Sequence, residues 1–579
     1  MEQPYLLYEF LNSSGENTPY LFTKPIQVYK AHQLDEVKSV FSSMEQAIND
    51  GYYVAGFVSY EAAPAFDHHY STHPNSNLPL LWFGVFEKPS RFDEMKREID
   101  YHVSNWHLTS SFEEYQAGIN KIKGAIEAGN TYQVNYTARL EAEFYGDDFS
   151  FYRQLTRNQQ SSYNAYINIG NYRILSASPE LFFHVKNNGI TTKPMKGTAK
   201  RGRFLEEDQV YKDQLRYSEK DQSENLMIVD LLRNDIGRIA KPGTVTVPRL
   251  FEIESYPTVH QMTSTITAAL QDNTTILDWF KALFPCGSIT GAPKIKTMEY
   301  IAELEQTPRE VYCGAIGFIT PEREAIFNVP IRTVTIDKSA RKAIYGAGGG
   351  VTWDSTVIGE YEELLTKARL LTEKRKKFQL LESLLLENGD YPLRDYHMKR
   401  LKASAQYFGF SLIVKDVEQK LDKLPHQYPK GTYKARLLVG KNGEIIIEAH
   451  PVKALVHPVN CSLAHEPIDD QNPFLFHKTT YRDMYDQHKD DRFFSTLLWN
   501  KKREITEFTI GNLVVELNGE FFTPPIDCGL LAGTYRQYLL DNRVIKEKVV
   551  KKEELMTYDR IWFINSVRGW VEINIPLKD

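Results

Sequence analysis

The chain has 579 residues, 42% of them hydrophobic and 25% charged, with a net charge of −6. Those values fit a soluble globular protein of roughly two to four domains. No basic block is present to track a phosphate backbone, and no apolar run approaches the ~18 residues of a membrane span, so neither nucleic acid nor a membrane is an expected partner. The cysteines Cys286, Cys313, Cys461 and Cys528 are far apart, with no CxxC pair. That spacing suits a reducing compartment rather than a disulfide scaffold. The start, Met1-Glu-Gln-Pro-Tyr-Leu, lacks a basic segment followed by an apolar one, so no signal peptide is expected and the protein reads as cytoplasmic.

Residues 1–105 read as mixed strands and short helices, with Tyr53–Tyr60 strand-like. From Ser111 to Ala128, Tyr115, Ile119, Ile122 and Ile126 recur at spacings of three and four, which predicts a helix. Alternating strand material follows over 172–186. Residues 205–239 read as one long helical segment, and Ile276–Phe284 as another helix. Glycine-rich turns are expected at Cys286–Lys294 and Gly346–Gly350, then a helix from Val357 to about Leu371. The charge run Thr372–Lys377 marks a change of character, and a boundary is placed near residue 374. Beyond it come a strand (380–386), a helix (395–408) and a hairpin turning at Lys441-Asn-Gly443.

In the first region Ser176-Ala-Ser-Pro-Glu180 and Lys193-Pro-Met-Lys-Gly-Thr198 set a carboxyl and an amine on neighbouring segments. Lys196 and Glu180 could serve as nucleophile and general acid, or form an ordinary ion pair. Glu360, Glu363 and Lys367 share one helix face, and Asp221 and Glu224 share another. Two such acidic pairs could hold one Mg²⁺, which prefers carboxylate oxygens, or be solvated faces. Arg332 lies in a strand-like run, where a guanidinium suits a carboxylate. Gly348, Gly349 and Gly350 could offer amides to an anion.

Taken in order, Ser-Pro-Glu, Met-Lys-Gly-Thr, Glu-Asn-Leu-Met-Ile-Val-Asp-Leu-Leu-Arg-Asn-Asp-Ile-Gly, Gly-Ser-Ile-Thr-Gly-Ala-Pro-Lys, Ile-Arg-Thr and Ala-Gly-Gly-Gly resemble the chorismate-utilising enzymes. The resemblance implies an α+β fold built as a two-sheet α/β sandwich over residues 1–373. Lysine at position 196 resembles the branch that forms 4-amino-4-deoxychorismate, whereas the anthranilate branch usually has alanine. Isochorismate-forming members place a lysine where this chain has Gln133. By the resemblance, Lys196 would attack C2 of the chorismate ring and Glu180 would protonate the departing C4 hydroxyl. Ammonia would then add at C4 and expel the lysine. Mg²⁺ would be held by Glu224 and Glu363, with Asp221 and Glu360 outside them. Tyr312, Arg332 and the amides of Gly348–Gly350 would hold the enolpyruvyl carboxylate, with Lys367 also at the substrate. Departures are Gln261 where relatives have histidine, with His260 just before it, and Pro330 where alanine is common. No Gly-x-Cys-x-Gly elbow is present, so ammonia would come from a separate glutamine amidotransferase or be taken up free.

In the second region a lysine (Lys478), a glutamate in an apolar strand (Glu507) and a Gly533-Thr534 helix start occur in order, with Arg400 upstream. Together they resemble the fold-type IV pyridoxal-phosphate (PLP) enzymes, a smaller α+β domain over 374–579. The resemblance implies that Lys478 forms the Schiff base and acts as base, that Glu507 bonds the pyridine nitrogen, and that Arg400 with Gly533 and Thr534 binds the phosphate. A homodimer through this domain is also implied. Elimination of pyruvate from 4-amino-4-deoxychorismate is the favoured activity, because it would use the first domain's product. The whole chain then reads as a bifunctional maker of 4-aminobenzoate. The alternatives are an anthranilate-forming enzyme, and a first domain followed by an inactive docking or dimerisation module.

Overall fold

The computed structural model describes residues 3–11, 19–74, 76–92, 99–374, 376–456 and 458–576; Met1 and Glu2, and Arg375 of the charge run, lie outside it. The chain forms two compact units. One comprises 1–200 and 212–375, the other 201–211 and 376–579.

The first unit holds two ten-stranded antiparallel sheets. Alternation decides how they meet. In the strand Tyr5–Phe10, Leu6, Tyr8 and Phe10 share a core cluster with Phe57, Trp82, Ile316 and Phe318 of the other sheet, while Leu7 joins a second cluster with the helices. Successive side chains point to opposite faces, so a strand buried on both faces reads as a continuous apolar run. The long strand Gln133–Gly146 pairs with Lys342–Val351, setting Gly348 opposite Thr137 and Gly350 opposite Asn135.

Those glycines correct the expected turn at 346–350: they lie inside a strand. Their smallness serves close approach instead. A Cβ on Gly348 would lie 2.1 Å from the Tyr136 carbonyl, and one on Gly350 would lie 2.3 Å from Gln133 Nε2 and 2.8 Å from Lys196 Nζ. The single helix expected over 205–239 is instead two, Leu205–Arg216 and Glu219–Gly237. Ser218 starts the second by accepting from the Asp221 amide, a cap that restarts the hydrogen-bond ladder. The helix Phe112–Glu127 begins at a capping box between Ser111 and Glu114 and buries Tyr115, Ile119 and Ile122.

The second unit has a three-stranded sheet (Leu380–Glu387, Thr432–Val439, Ile445–Pro451) and a nine-stranded sheet that includes Ile505–Phe508 and Gly511–Leu517. The helix Arg394–Phe408 packs on the strand Leu380–Glu387. That strand buries every second residue, and Glu382 occupies the same face as Leu380, Leu384 and Leu386.

Candidate active sites

In the first unit a cavity of about 390 Å³ is lined by Glu180, Lys196, Asp221, Glu224, Tyr312, Arg332, Gly348, Gly349, Gly350, Glu360, Glu363 and Lys367. Residues from separated strands and helices thus converge. Lys196 comes from the strand Met195–Lys200, the first carboxylate pair from Glu219–Gly237 and the second from Val357–Ala368. Glu180 sits just before the strand Leu181–Lys186 and is 2% exposed. Ser288 Oγ donates to Glu180 Oε1 at 2.6 Å. Asn225 supports the Lys196 strand by donating to the Lys196 carbonyl at 3.3 Å, and its own Oδ1 accepts from Ser264 Oγ at 2.5 Å. Arg332 is not within a strand. It precedes Thr333–Asp337 at φ +54° and donates to the Lys367 carbonyl at 3.3 Å.

The electrostatics separate these groups. Burial lowers the Lys196 ammonium from its usual range, with Lys367 adding to the effect and Glu224, Glu180 and Glu363 opposing it. Burial pushes Glu180 up to about 7. The result is an amine more readily neutral and a carboxyl more readily protonated, the pairing a nucleophile and a general acid need. Burial also raises Glu224 and Glu360, with Asp221 and Glu363 adding repulsion respectively. Glu363 is instead lowered, chiefly by Lys367, whose Nζ lies 2.6 Å from its Oε1 and also donates to the Gly348 carbonyl at 2.7 Å. Beneath the cavity, Arg309 and Arg139 clasp the buried Glu305, and Arg309 also holds the carbonyls of Asn135 and Ile289, both cavity residues.

In the second unit the backbone at Lys478 is fixed to the strand Leu380–Glu387, where the Leu381 amide donates to its carbonyl at 3.0 Å. Burial, with Arg400 adding, lowers Lys478 to about 8. Glu507 is 3% exposed and pushed up to about 7 by burial. Its Oε1 accepts from Tyr485 Oη (2.8 Å) and the Leu531 amide (3.0 Å), whereas Oε2 has the longer bond from Asn512 Nδ2 (3.2 Å). Arg400 is gripped by Glu382 through contacts of 2.9 and 2.6 Å and donates to the Ala532 carbonyl at 3.2 Å. The helix Thr534–Asp541 starts from Gly533, where a Cβ would fall 1.8 Å from Asn512 Oδ1, so any side chain there would push Asn512 aside. Thr534 Oγ1 lies 3.2 Å from His397 Nε2, and His397 Nδ1 lies 2.7 Å from Glu382 Oε2.

Residues 101–373 match the chorismate binding enzyme family. Anthranilate synthase component 1 of Lactococcus lactis is 34% identical over 325 residues, which are 54% of this chain and 71% of that protein. The chain belongs to the chorismate-binding enzymes. Aminodeoxychorismate synthase component 1 of Klebsiella aerogenes is 42% identical over 266 residues, 46% of this chain; the match spans 58% of that relative's length. Among solved structures, anthranilate synthase component I from Streptococcus pneumoniae TIGR4 superposes with a TM-score of 0.51 at 25% identity, covering 64% of this chain and 91% of the other. In this chorismate-binding enzyme residues 379–575 additionally match amino-transferase class IV. The fold is therefore a chorismate-binding enzyme fold followed by a class IV aminotransferase-like domain.

The donor sets of this chorismate-binding enzyme fit the cofactors its two domains imply. For Mg²⁺ the cavity lining includes the hard carboxylate oxygens of Asp221, Glu224, Glu360 and Glu363. The carboxylates do not converge as tightly as a single closed site. Among the described residues, only Asp67, His68 and His69 bring three such ligand atoms within 4.8 Å of one another, on an exposed turn away from the cavity lining. For PLP the second unit offers a desolvated amine, a buried carboxyl and a glycine-led helix start beside Arg400. Sequence reasoning missed Ser288, Ser355 (Oγ to Glu360 Oε1, 2.6 Å), Tyr485, His397 and Glu382. Glu382 carried a readable signal, an acid at the core phase of an alternating leucine strand. Ser288 lay in the Gly287–Lys294 motif, but nothing local pointed its hydroxyl at Glu180, 108 residues away. The role of His260, left open from sequence, is met by a fully buried ring whose Nδ1 lies 3.0 Å from Ser255 Oγ, while Gln261 lines the cavity.

Proposed function

We propose that the first domain converts chorismate and ammonia to 4-amino-4-deoxychorismate, and that the second eliminates pyruvate from it to give 4-aminobenzoate. The observation that carries this reading is a desolvated lysine, not alanine, at position 196, in one cavity with a buried carboxyl raised to about 7. Lys196 Nζ attacks ring C2 as the double bonds shift and the C4 oxygen leaves with the proton of Glu180. Ammonia then adds at C4 and expels the Lys196 amine, restoring the diene. Glu224 and Glu363, with Asp221 and Glu360 outside them, would hold Mg²⁺, which would supply positive charge against the ring carboxylate. Arg332, Tyr312, Lys367 and the strand of Gly348–Gly350 bind and orient the enolpyruvyl carboxylate.

In the second domain, bound PLP supplies an electron sink. Lys478 holds the cofactor and moves the substrate proton, Glu507 keeps the pyridine nitrogen protonated, and Arg400 with the Gly533–Thr534 helix start binds phosphate. The curated relatives that are component 1 proteins support a separate glutamine amidotransferase as the ammonia source. Four free, buried cysteines suit a reducing cytoplasm, and no helix among the described residues is long and apolar enough to cross a membrane. A homodimer through the second domain completes the proposal.

One assay tests the reading. Purified protein is given chorismate, ammonium, Mg²⁺ and PLP, and the products are identified. 4-Aminobenzoate with pyruvate is expected. Anthranilate, the product to which the Lactococcus lactis relative's name points, would refute the first step. Accumulated aminodeoxychorismate would refute the second. Lys196→Ala should abolish the first conversion while leaving the second intact on supplied aminodeoxychorismate.

A further inference from the structure

The segment 201–211 follows the Lys196 strand in sequence, yet by its contacts it belongs with residues 376–579. Its first residues grip the peptide that carries Lys478. The Arg201 guanidinium lies over the Tyr407 ring at 4.4 Å and donates to the Tyr407 carbonyl at 3.0 Å. The Tyr407 hydroxyl donates back to the Gly202 carbonyl at 2.6 Å. Phe204 packs on Phe476 at 5.3 Å, and Arg203 lies over the same ring at 5.0 Å while pairing with Glu207 and Asp527. His477, between Phe476 and Lys478, stacks on Tyr407 at 4.3 Å and bonds Ser404 through Nδ1 at 2.9 Å.

We infer that residues 201–204 are positioning residues of the second site, clamping Phe476 and His477 so that the Lys478 amine is held away from solvent. The argument is geometric. Lys478 directly follows Phe476, whose ring packs on Phe204, and His477, whose ring stacks on the Tyr407 that Arg201 and Gly202 hold, and a lysine side chain alone has four rotatable bonds and a strong preference for water. The buried Arg201–Asp208 pair (2.7 Å) and the Gly202 amide on Asp208 Oδ1 (2.9 Å) stiffen the segment itself. A C-terminal class IV domain in this chain would therefore depend on a piece of sequence that lies inside the chorismate-binding match. The inference rests on the reading of Lys478 as the PLP lysine.

The charged groups that act on Lys478 are Arg400, Arg482, Glu382 and Glu507, and none of them belongs to the clamp. Loosening the clamp would thus act through solvation, restoring the amine toward its ordinary, higher range. The test is the rate at which the cofactor-free full-length protein captures added PLP, followed by absorbance from pH 6 to pH 10. Capture needs the neutral amine, so the wild-type rate should have its midpoint near about 8. Tyr407→Phe removes the 2.6 Å bond but keeps the ring. It should raise the midpoint by about one unit and slow capture about tenfold at neutral pH. Should Tyr407→Phe fail to fold, Arg203→Gln carries the same test, and Arg203→Lys should recover part of the loss. A folded variant with wild-type midpoint and rate overturns the inference. A wild-type protein that captures no PLP overturns the reading of Lys478 itself, and the inference with it.

Discussion

Ser288 and Glu180 come together across 108 residues of sequence, the serine hydroxyl donating to a carboxylate that is 2% exposed. The bond favours the ionised acid while burial favours the protonated one, and burial wins, leaving Glu180 near about 7. Removing the donor in Ser288→Ala should raise Glu180 further, by about one unit, since a hydrogen bond to a charged group contributes roughly 1.5 kcal/mol. The general acid would stay protonated to higher pH. The alkaline limb of the kcat/KM profile for chorismate consumption should move up by that amount; an unmoved limb would separate it from Glu180.

Lys367 acts on two groups in the cavity. It lowers Glu363, its partner at 2.6 Å, and it helps lower Lys196. Lys367→Met should therefore raise both. Glu363 loses a competing cation, so less Mg²⁺ should be needed for half-maximal activity. Lys196 is more often protonated, so turnover at pH 7 should fall by about tenfold and recover as pH rises. A Mg²⁺ titration at two pH values measures both effects.

The Arg309–Glu305 pair is buried, and each partner depends on the other. Arg309→Met leaves the Glu305 carboxylate with only Arg139 and Thr137 and frees the carbonyls of Asn135 and Ile289. A loss of roughly 3–5 kcal/mol is expected, seen as an earlier denaturant transition of the first unit. The double variant with Glu305→Gln should lose more, because it also strips the buried Arg139 of its carboxylate partner.

Glu382 is held at about 2 by its surroundings: burial would raise it, but Arg400 and His397 outweigh that. A folded value below the ordinary 4.5 stabilises the fold above that ordinary value and loses this contribution as pH falls toward the folded one. The window is about pH 4.5 down to about 2, and the contribution at neutral pH is roughly 3 kcal/mol. Acid unfolding of the second unit, followed by near-ultraviolet circular dichroism, should be steep across this window. Glu382→Gln should be less stable at pH 7 and flatter below pH 4.5.

The sequence by itself determined the chemistry available and its order along the chain. Lys196, Glu180, the acidic pairs on the helices Glu219–Gly237 and Val357–Ala368, and Lys478 before Glu507 are legible because motif spacing and helical periodicity are local properties. Only the tertiary structure decided what those residues do to one another. It turned Gly346–Gly350 from an expected turn into strand, because pairing with Gln133–Gly146 is a contact across two hundred residues. It brought Ser288 to Glu180 and Glu382 to Arg400, and it assigned 201–211 to the second unit. Desolvation is the physical reason. The raised carboxyls of Glu180 and Glu507 and the lowered amines of Lys196 and Lys478 all come first from burial. Burial is a property of the packed chain, to which residues hundreds of positions apart contribute.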